Sequence, residues 1–519
     1  MKIVNNIYVI GGFAAVAGIL FGFDIGSNSG VINTVQYKTY FDHPNETLQG
    51  GINSSLSAGC FVGAIISSYP ADKIGRKMSI ILAAAIFVLG AIIQSACNGH
   101  AMLIAGRVLA GLSVGMTSNI VPLYQSEIAP EKVRGRLVSI QQWAITWGIC
   151  ISFWIQYGCS KIDGQAAFRI PYGVQAIPAL LLFFGMFFFP RSPRWLMDHD
   201  REEEALRVLA DIHGEGDVNH PYVQREFSQI KEAIRFDREI AARSYLELLK
   251  PGLFKRVFLG VALQAWQQLT GMNIIMFYVV YLFEQAGKAE QEANLVASGV
   301  SYVVNVVMTV PAIIYVDKWG RRPTLIAGSA AMATFLFIIG GIMGGIGKPP
   351  VDDPNSQTKT TVSGWDMQGN TAATNAIIAM VYFFVASFAT TWGPIGWIYP
   401  AEIFPMRVRA KATALSTGSN WLFNWILNFF VPILMSKLTY GLYILFGAFN
   451  FLMTAHVFFQ YPETKGRTLE EMDEIFAAGY SPWRKKKINE ATREANLEKG
   501  QDTNKEEKEK EEGQPPEVA

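Results

Sequence analysis

The sequence predicts an all-α membrane protein of twelve transmembrane helices in two six-helix halves, joined by a cytoplasmic helical linker. Three observations predict it. Of 519 residues, 50% are hydrophobic and only 17% charged, which is too apolar for a soluble protein of several domains. The apolar residues cluster in stretches of about 20, the length that crosses a bilayer as a helix. The first half of the chain also repeats in the second.

In chain order, the expected spans lie near 8–32, 50–70, 78–96, 101–123, 138–158, 172–190, 256–284, 294–316, 323–345, 372–400, 411–436 and 440–460. The first follows only Lys2, lacks a small-residue cleavage site and runs too long for a signal-peptide core, so it reads as a retained helix. The repeat shows in two pairs of motifs. "ADKIGRK" at 71–77 returns as "VDKWGRR" at 316–322, and "SEIAPEKVRGRL" at 126–137 returns as "AEIFPMRVRAKA" at 401–412. A third echo, "FFFPRSP" and "FFQYPET", closes the sixth and twelfth spans. The unequal spacing of the two pairs is absorbed by the polar loop 347–371.

These marks divide the chain into a first half at 1–190, a linker at 191–255 with helical stretches such as "REEEALRVLADI", a second half at 256–461 and a tail at 462–519. After about residue 484 the tail is too charged to bury a core and reads as disordered. Cys60, Cys97, Cys150 and Cys159 lack metal-ligand spacing and read as free packing residues.

Basic residues set the orientation, because Lys and Arg are retained on the cytoplasmic side. They concentrate in the short loops after spans 2, 4, 8 and 10: Lys73, Arg76 and Lys77; Lys132, Arg134 and Arg136; Lys318, Arg321 and Arg322; Arg407, Arg409 and Lys411. Both termini then lie in the cytosol. An external "NET" sequon at Asn45 fits that arrangement as a glycosylation acceptor. The net charge of +1 points to no nucleic acid or other polyionic partner.

The polar residues inside the spans carry the functional signal. In "QAWQQLTGMNIIMFYVVYL" at 264–282, Gln264, Gln267, Gln268 and Gly271 share one helical face, and Thr270, Gly271 and Asn273 interrupt the helix. Asn420, Asn424 and Asn428 repeat every four residues in span 11, beside Trp421 and Trp425. In "TWGPIGWIYP", Gly393, Pro394, Gly396 and Pro400 should break or bend span 10 and turn Trp392 and Trp397 toward a cavity. Carboxamides match hydroxyls that donate and accept at once, and indoles match an apolar C–H face, so a monosaccharide suits both. Interhelical glue is the structural alternative, with even weight for Gln264. No carboxylate pair, nucleophile or phosphate-cradling loop occurs in the spans, so the reading is a carrier without a cofactor rather than an enzyme. Two parallel halves around a midplane site are what alternating access needs.

Two charges remain inside, Asp24 in span 1 and Arg107 in span 4. At 1.5 Å per residue both sit roughly 10 Å below the outer surface, so they can pair. The pair is either a proton-coupling device or a static clasp of the first half. Gly18, Gly22 and Gly26, spaced by four, form a close-packing stripe.

The chain resembles the sugar porters of the major facilitator superfamily from about residue 8 to 475. The resemblance rests on "GRVLAGLSVG" at 106–115, "PLYQSEIAPEKVRGRLVS" at 122–139, "PRSPRWLM" at 190–197, "QQLTGMN" at 267–273, "DKWGRRP" at 317–323, "PAEIFPMRVRAKATA" at 400–414 and "PETKGRTLEEMDEIF" at 462–476. "SFATTWGPIGWIYPAEIFP" looks most like fungal high-affinity hexose and pentose transporters, which implies a plasma membrane and substrates such as glucose or xylose. The resemblance implies sugar contacts at Gln142, Gln267, Gln268, Asn273, Tyr278, Asn305, Trp397, Asn420 and Trp421. It implies a conformational latch of salt bridges among Asp72, Arg76, Glu127, Arg134, Asp317, Arg321, Glu402 and Arg409. Asp24 and Arg107 match the proton-coupling pair of bacterial xylose–proton symporters, whereas Gln175 stands where those proteins have Glu.

The expected protein is therefore a monomeric monosaccharide transporter in the bilayer that works as a sugar:proton symporter. Facilitated diffusion is the alternative. A non-transporting sugar sensor is a third reading, against which stands the short tail of roughly 58 residues from Pro462.

Overall fold

The computed structural model describes residues 6–32, 34–130, 133–240, 245–285, 291–347, 370–405 and 408–465, together with 472 and 476. Among these residues there are helices and no strands. The first half comprises α1 (Ile7–Ala14), α2 (Val16–Val31), the short α3 (Val35–Tyr40), α4 (Glu46–Ile66), α5 (Ser68–Lys73), α6 (Arg76–Ser95), α7 (His100–Ile128), α8 (Arg134–Cys159), α9 (Ala166–Val174) and α10 (Ala176–Gly185). The linker carries α11 (Pro193–Asp198), α12 (Glu202–His213) and α13 (Pro221–Ile240). The second half comprises α14 (Pro251–Leu269), α15 (Met272–Gln285), α16 (Gln291–Trp319), α17 (Arg321–Ile346), α18 (Thr371–Thr390), α19 (Trp392–Ile403), α20 (Arg409–Leu438) and α21 (Gly441–Gln460).

Each expected span coincides with one helix or with two helices joined across a single-residue or two-residue break: α1–α2, α4–α5, α9–α10, α14–α15 and α18–α19. Nine spans among the described residues are long and apolar enough to cross a membrane by length and composition. The other three are α8, α14–α15 and α20. Those are the spans that carry Gln141 and Gln142, the three glutamines of 264–268, and the asparagine row of 420–428. Their lower hydropathy has the same cause as their interest.

One expected break falls elsewhere. Span 10 is interrupted at Thr391, with φ −128° and ψ −83°, and α19 then runs through Gly393, Pro394, Gly396 and Pro400. Pro394 lies in the first turn of α19, where a missing N–H costs nothing. Pro400 lies near its end.

In the linker, Ala205, Val208, Leu209 and Ile212 form the buried stripe of α12. Trp195 of α11 ties the linker to the bundle by donating its indole N–H to the Asp72 carbonyl at 2.8 Å. The basic loops gather at this same end of the bundle. All four cysteines are buried and none forms a disulfide. The loop 348–369 and the tail expected to be disordered after about 484 lie outside the described residues.

Two helix pairs in the first half approach backbone to backbone. On α2, a Cβ added at Gly22 would meet the Ile145 carbonyl oxygen at 2.0 Å, and one at Gly26 would meet that of Ile149 at 2.2 Å, so α2 lies directly on α8. Gly111 and Gly115 of α7 stand in the same relation to the Leu56 and Cys60 carbonyls of α4, each at 2.0 Å. A Gly22→Val variant should lose on the order of 1–3 kcal/mol through overpacking, read as a lowered thermal unfolding midpoint in detergent. Gly12→Ala, with nothing within 4 Å of the new methyl, should leave that midpoint in place.

Candidate substrate site

The break in span 7 follows from its own residues. Thr270 turns its hydroxyl back to the Gln267 carbonyl at 2.7 Å and accepts the Met272 N–H at 3.2 Å. Gly271 takes φ +87°, a conformation open to glycine at no steric cost. The Thr270 carbonyl freed by the break accepts from Asn450 Nδ2 of α21 at 3.0 Å.

The amides on either side of this break form a network with α20. Asn420 Nδ2 donates to Gln264 Oε1 at 2.6 Å and to Gln267 Oε1 at 2.8 Å, while Asn420 Oδ1 accepts from Gln268 Nε2 at 2.9 Å. Gln268 Oε1 accepts from Asn273 Nδ2 at 2.7 Å and from Asn424 Nδ2 at 2.9 Å. Gln267 Nε2 reaches the Trp392 and Gly393 carbonyls at 2.9 and 3.1 Å. Gln264 Nε2 reaches the Gly396 carbonyl at 2.7 Å. That carbonyl would pair with the N–H four residues on, but residue 400 is proline, so Gln264 supplies the missing donor.

Seven of the nine expected contacts line one cavity: Gln142, Gln267, Gln268, Asn273, Asn305, Trp397 and Asn420. Apolar walls come from Phe21 and Ile25 of α2, Ile145 and Ile149 of α8, and Phe388 of α18. Gln142 and Trp397 come from opposite halves, and the indole N–H donates to Gln142 Oε1 at 3.1 Å. Asn305 Oδ1 is buried without a hydrogen-bond partner, so the cavity wall holds an acceptor that the described residues leave unsatisfied.

The other expected contacts differ. Trp421 does not line the cavity. Its N–H is held by Ser118 Oγ at 3.0 Å and its ring stands edge-on to Phe21, 4.7 Å between centroids. The side chain of Tyr278 lies outside the described residues. Trp392, expected to face the cavity, is buried with its N–H on the Leu325 carbonyl at 3.0 Å, and Trp425 is 39% exposed on the outer surface. Helical spacing told which residues share a face but not which way that face turns.

Asp24 and Arg107 meet as a two-pronged pair, Nη1 to Oδ1 and Nη2 to Oδ2, both at 3.1 Å, with both side chains fully buried. The pair is not part of the cavity lining, although Phe21 and Ile25 on the same helix are. Asn28 Oδ1 also takes Arg107 Nη1 at 3.2 Å and Tyr172 OH at 3.3 Å. Sequence reasoning missed Asn28, Asn53, Ser57 and Ser118. The run "NSSLS" at 53–57 inside an expected span was the available signal.

At the basic end, Arg76 pairs with Glu127 at 3.0 Å and Asp72 at 3.5 Å, and Arg321 with Glu402 at 2.6 Å and Asp317 at 3.0 Å. Each of these pairs lies within one half. The repeat extends to their supports. Ser192 bonds Glu127 as Thr464 bonds Glu402. Arg409 donates to the Phe404 carbonyl at 3.3 to 3.4 Å, and the side chain of Arg134 lies outside the described residues. The first turn of α8 abuts the other half, since a Cβ on Gly135 would stand 2.7 Å from Asp317 Oδ1. Asn45 is exposed and caps α4 through its Oδ1, which accepts from Leu48 N at 2.8 Å.

Residues 12–476 match the family model described as "Sugar (and other) transporter". The chain belongs to this family. It is 47% identical over 508 residues to the MFS glucose transporter mfs1 of Aspergillus flavus, covering 96% of this chain and 94% of the relative. It is 45% identical to the high-affinity glucose transporter of Kluyveromyces lactis, covering 93% and 87%. Among solved structures it resembles the proton:xylose symporter XylE bound to 6-bromo-6-deoxy-D-glucose. That match has a TM-score of 0.77 and 27% identity, covering 91% of this chain and 99% of that one. The protein is thus a membrane transporter of the sugar porter type with the major facilitator fold, not an enzyme.

Gln264 stands outside the cavity lining, so its replacement isolates the structural share of the network. Gln264→Leu should cost about 1–3 kcal/mol by leaving the Gly396 carbonyl buried without its donor, measured as a drop in thermal unfolding midpoint of the purified protein.

Proposed function

We propose that this transporter carries glucose and similar hexoses, with xylose as a further substrate, by alternating access as a sugar:proton symporter. The observation that carries the reading is the cavity itself. Its polar lining is made of carboxamides and an indole N–H, with no charged side chain, and these groups come from both halves. A neutral polyhydroxy ring is the ligand that such donors and acceptors satisfy without a counter-charge. The two glucose-transporting relatives and the sugar held in XylE favour the same substrate class.

In this reading Gln142, Gln267, Gln268, Asn273, Asn305 and Asn420 hold hydroxyls, Trp397 offers its face to the ring, Tyr278 adds a contact, and Trp421 backs Phe21. Asp24 is the proton carrier. A proton on its carboxylate removes the charge that holds Arg107, and the guanidinium, always charged, is left to neutral acceptors such as Asn28 Oδ1. Arg76 with Asp72 and Glu127, Arg321 with Asp317 and Glu402, and Arg134 and Arg409 brace the basic end, which faces the cytosol together with both termini. The halves, divided near 190 and 256, rock about the cavity in the plasma membrane, and Asn45 accepts a glycan outside.

The deciding experiment is uptake of radiolabelled glucose into proteoliposomes with and without an inward proton gradient. Accumulation above the outside concentration that collapses with protonophore is expected. Equilibration indifferent to the gradient would mean facilitated diffusion and a static Asp24–Arg107 clasp. Asp24→Asn should abolish accumulation while sparing counterflow exchange; retained accumulation would move the proton elsewhere. Gln268→Ala and Asn273→Ala should each weaken glucose binding by more than about 1 kcal/mol, and an unchanged Kd by titration calorimetry would remove span 7 from the site.

A further inference from the structure

The first half contains two helix pairs in backbone contact that meet at a joint. The glycine contacts lock α2 onto α8 and α4 onto α7, backbone against backbone. The joint between the pairs is where Asp24 and Asn28 of α2 face Arg107 of α7 and Asn53 of α4. Arg107 spans it completely. Besides Asp24 and Asn28, its Nε donates to the Ile52 carbonyl at 2.9 Å and its Nη2 to the Asn53 carbonyl at 3.4 Å, both on α4. Asn28 Nδ2 adds a bond to Asn53 Oδ1 at 3.1 Å. Asp24 and Arg107 therefore join one pair to the other rather than two single helices.

Both pairs reach the other half, by different residues. The α2–α8 pair does so through Gln142 to Trp397 and Ser29 to Tyr302. The α4–α7 pair does so through Ser118 to Trp421 and through Ser57. Ser57 lies one turn past Asn53 on α4. Its Oγ donates to Asn424 Oδ1 at 2.5 Å and accepts from Asn428 Nδ2 at 3.2 Å. Asn424 Nδ2 in turn holds Gln268 Oε1, the atom that also holds Asn273, and both Gln268 and Asn273 line the cavity. Ser118 ends instead on an indole outside the amide network.

We propose that Ser57 is the positioning residue through which the charge state of Asp24 sets the affinity of the Gln268–Asn273 amides for sugar. The proposal rests on Asp24 being the proton site of the symport reading. With Asp24 ionised, Arg107 holds the α4–α7 pair against α2 and Ser57 presents its hydroxyl to Asn424. With Asp24 neutral, α4–α7 shifts at the joint, Ser57 moves with α4, and Asn424 re-partners, which changes the hydrogen bonds that Gln268 can offer a hydroxyl. The other titratable groups facing the joint are Tyr172 of α9, whose hydroxyl donates to Asn28 Oδ1 at 3.3 Å, Tyr37 of α3, Cys60 of α4 and Cys97.

A spatial chain is not yet a coupling, and a double-mutant cycle measures one. Glucose affinity of the full-length protein in nanodiscs is measured by titration calorimetry for wild type, Asp24→Asn, Ser57→Ala and the double variant. Asp24→Asn, which mimics the protonated carboxyl, should change the Kd about fivefold or more. In the Ser57→Ala background the same substitution should change it by less than about twofold, and Ser57→Thr, which keeps the hydroxyl, should restore the full response. Ser57→Cys, nearly isosteric and a weak donor, replaces Ser57→Ala if the alanine variant does not fold. An equal response to Asp24→Asn with and without the hydroxyl would overturn the proposal and leave symport standing, because a purely structural serine shifts both affinities alike. No response to Asp24→Asn even in wild type would also overturn this proposal, while the symport reading is decided separately by the accumulation experiment.

Discussion

A carboxamide placed in hydrocarbon has no water to turn to, and an unsatisfied amide there costs several kcal/mol. Much of the second half is organised by that constraint. Gln264, Gln267, Gln268, Asn273, Asn420, Asn424 and Asn428 are each hydrogen-bonded, chiefly to one another and to carbonyls of α19, where Pro400 has freed that of Gly396, while Asn450 answers the Thr270 carbonyl freed in span 7. The breaks and the amides need each other. A broken helix leaves backbone groups exposed, and the amides that answer those groups are then fixed in place around a cavity.

The first half meets the constraint at its centre with charge, although Gln175 is buried there with neither amide atom hydrogen-bonded among the described residues. Arg107 keeps its guanidinium in the membrane by meeting the Asp24 carboxylate, Asn28 and two carbonyls of α4. A buried pair of this kind is weak evidence of stabilisation, since its desolvation offsets much of its attraction. In the proposed symport its value lies in having two states that differ by one proton. The halves thus differ in kind: most of the cavity's amides stand in the second, the buried ion pair in the first, and polar contacts such as Ser57 to Asn424 and Gln142 to Trp397 join them.

The repeat makes the division visible. Arg76 with Glu127 and Arg321 with Glu402 are the same device in two copies, each supported by a hydroxyl two residues past a proline, Ser192 and Thr464. Glu463 goes further in the second copy and accepts the Arg321 and Arg322 backbone N–H groups at the start of α17, at 2.9 and 3.1 Å. The internal contrast is therefore not at the basic end but in the membrane, where the copies share little polar sequence.

The sequence by itself determined the spans, the repeat, the break at Thr270–Gly271 and the meeting of Asp24 with Arg107. Each depends on local rules: a length of apolar chain, a glycine angle, or two unpaired charges at one depth. Tertiary structure decided the rest. Whether Trp392 or Trp397 faces the cavity depends on where span 10 breaks, and the break came at Thr391, ahead of the glycines and prolines that drew attention. Trp421 stands behind Phe21 because Ser118, on a helix of the other half, takes its N–H. The serine run at 53–57 takes its meaning from Arg107 on one side of it and Asn424 on the other. Helical periodicity assigns residues to a face, but only the packing of twelve spans assigns that face to a neighbour, to lipid or to a ligand.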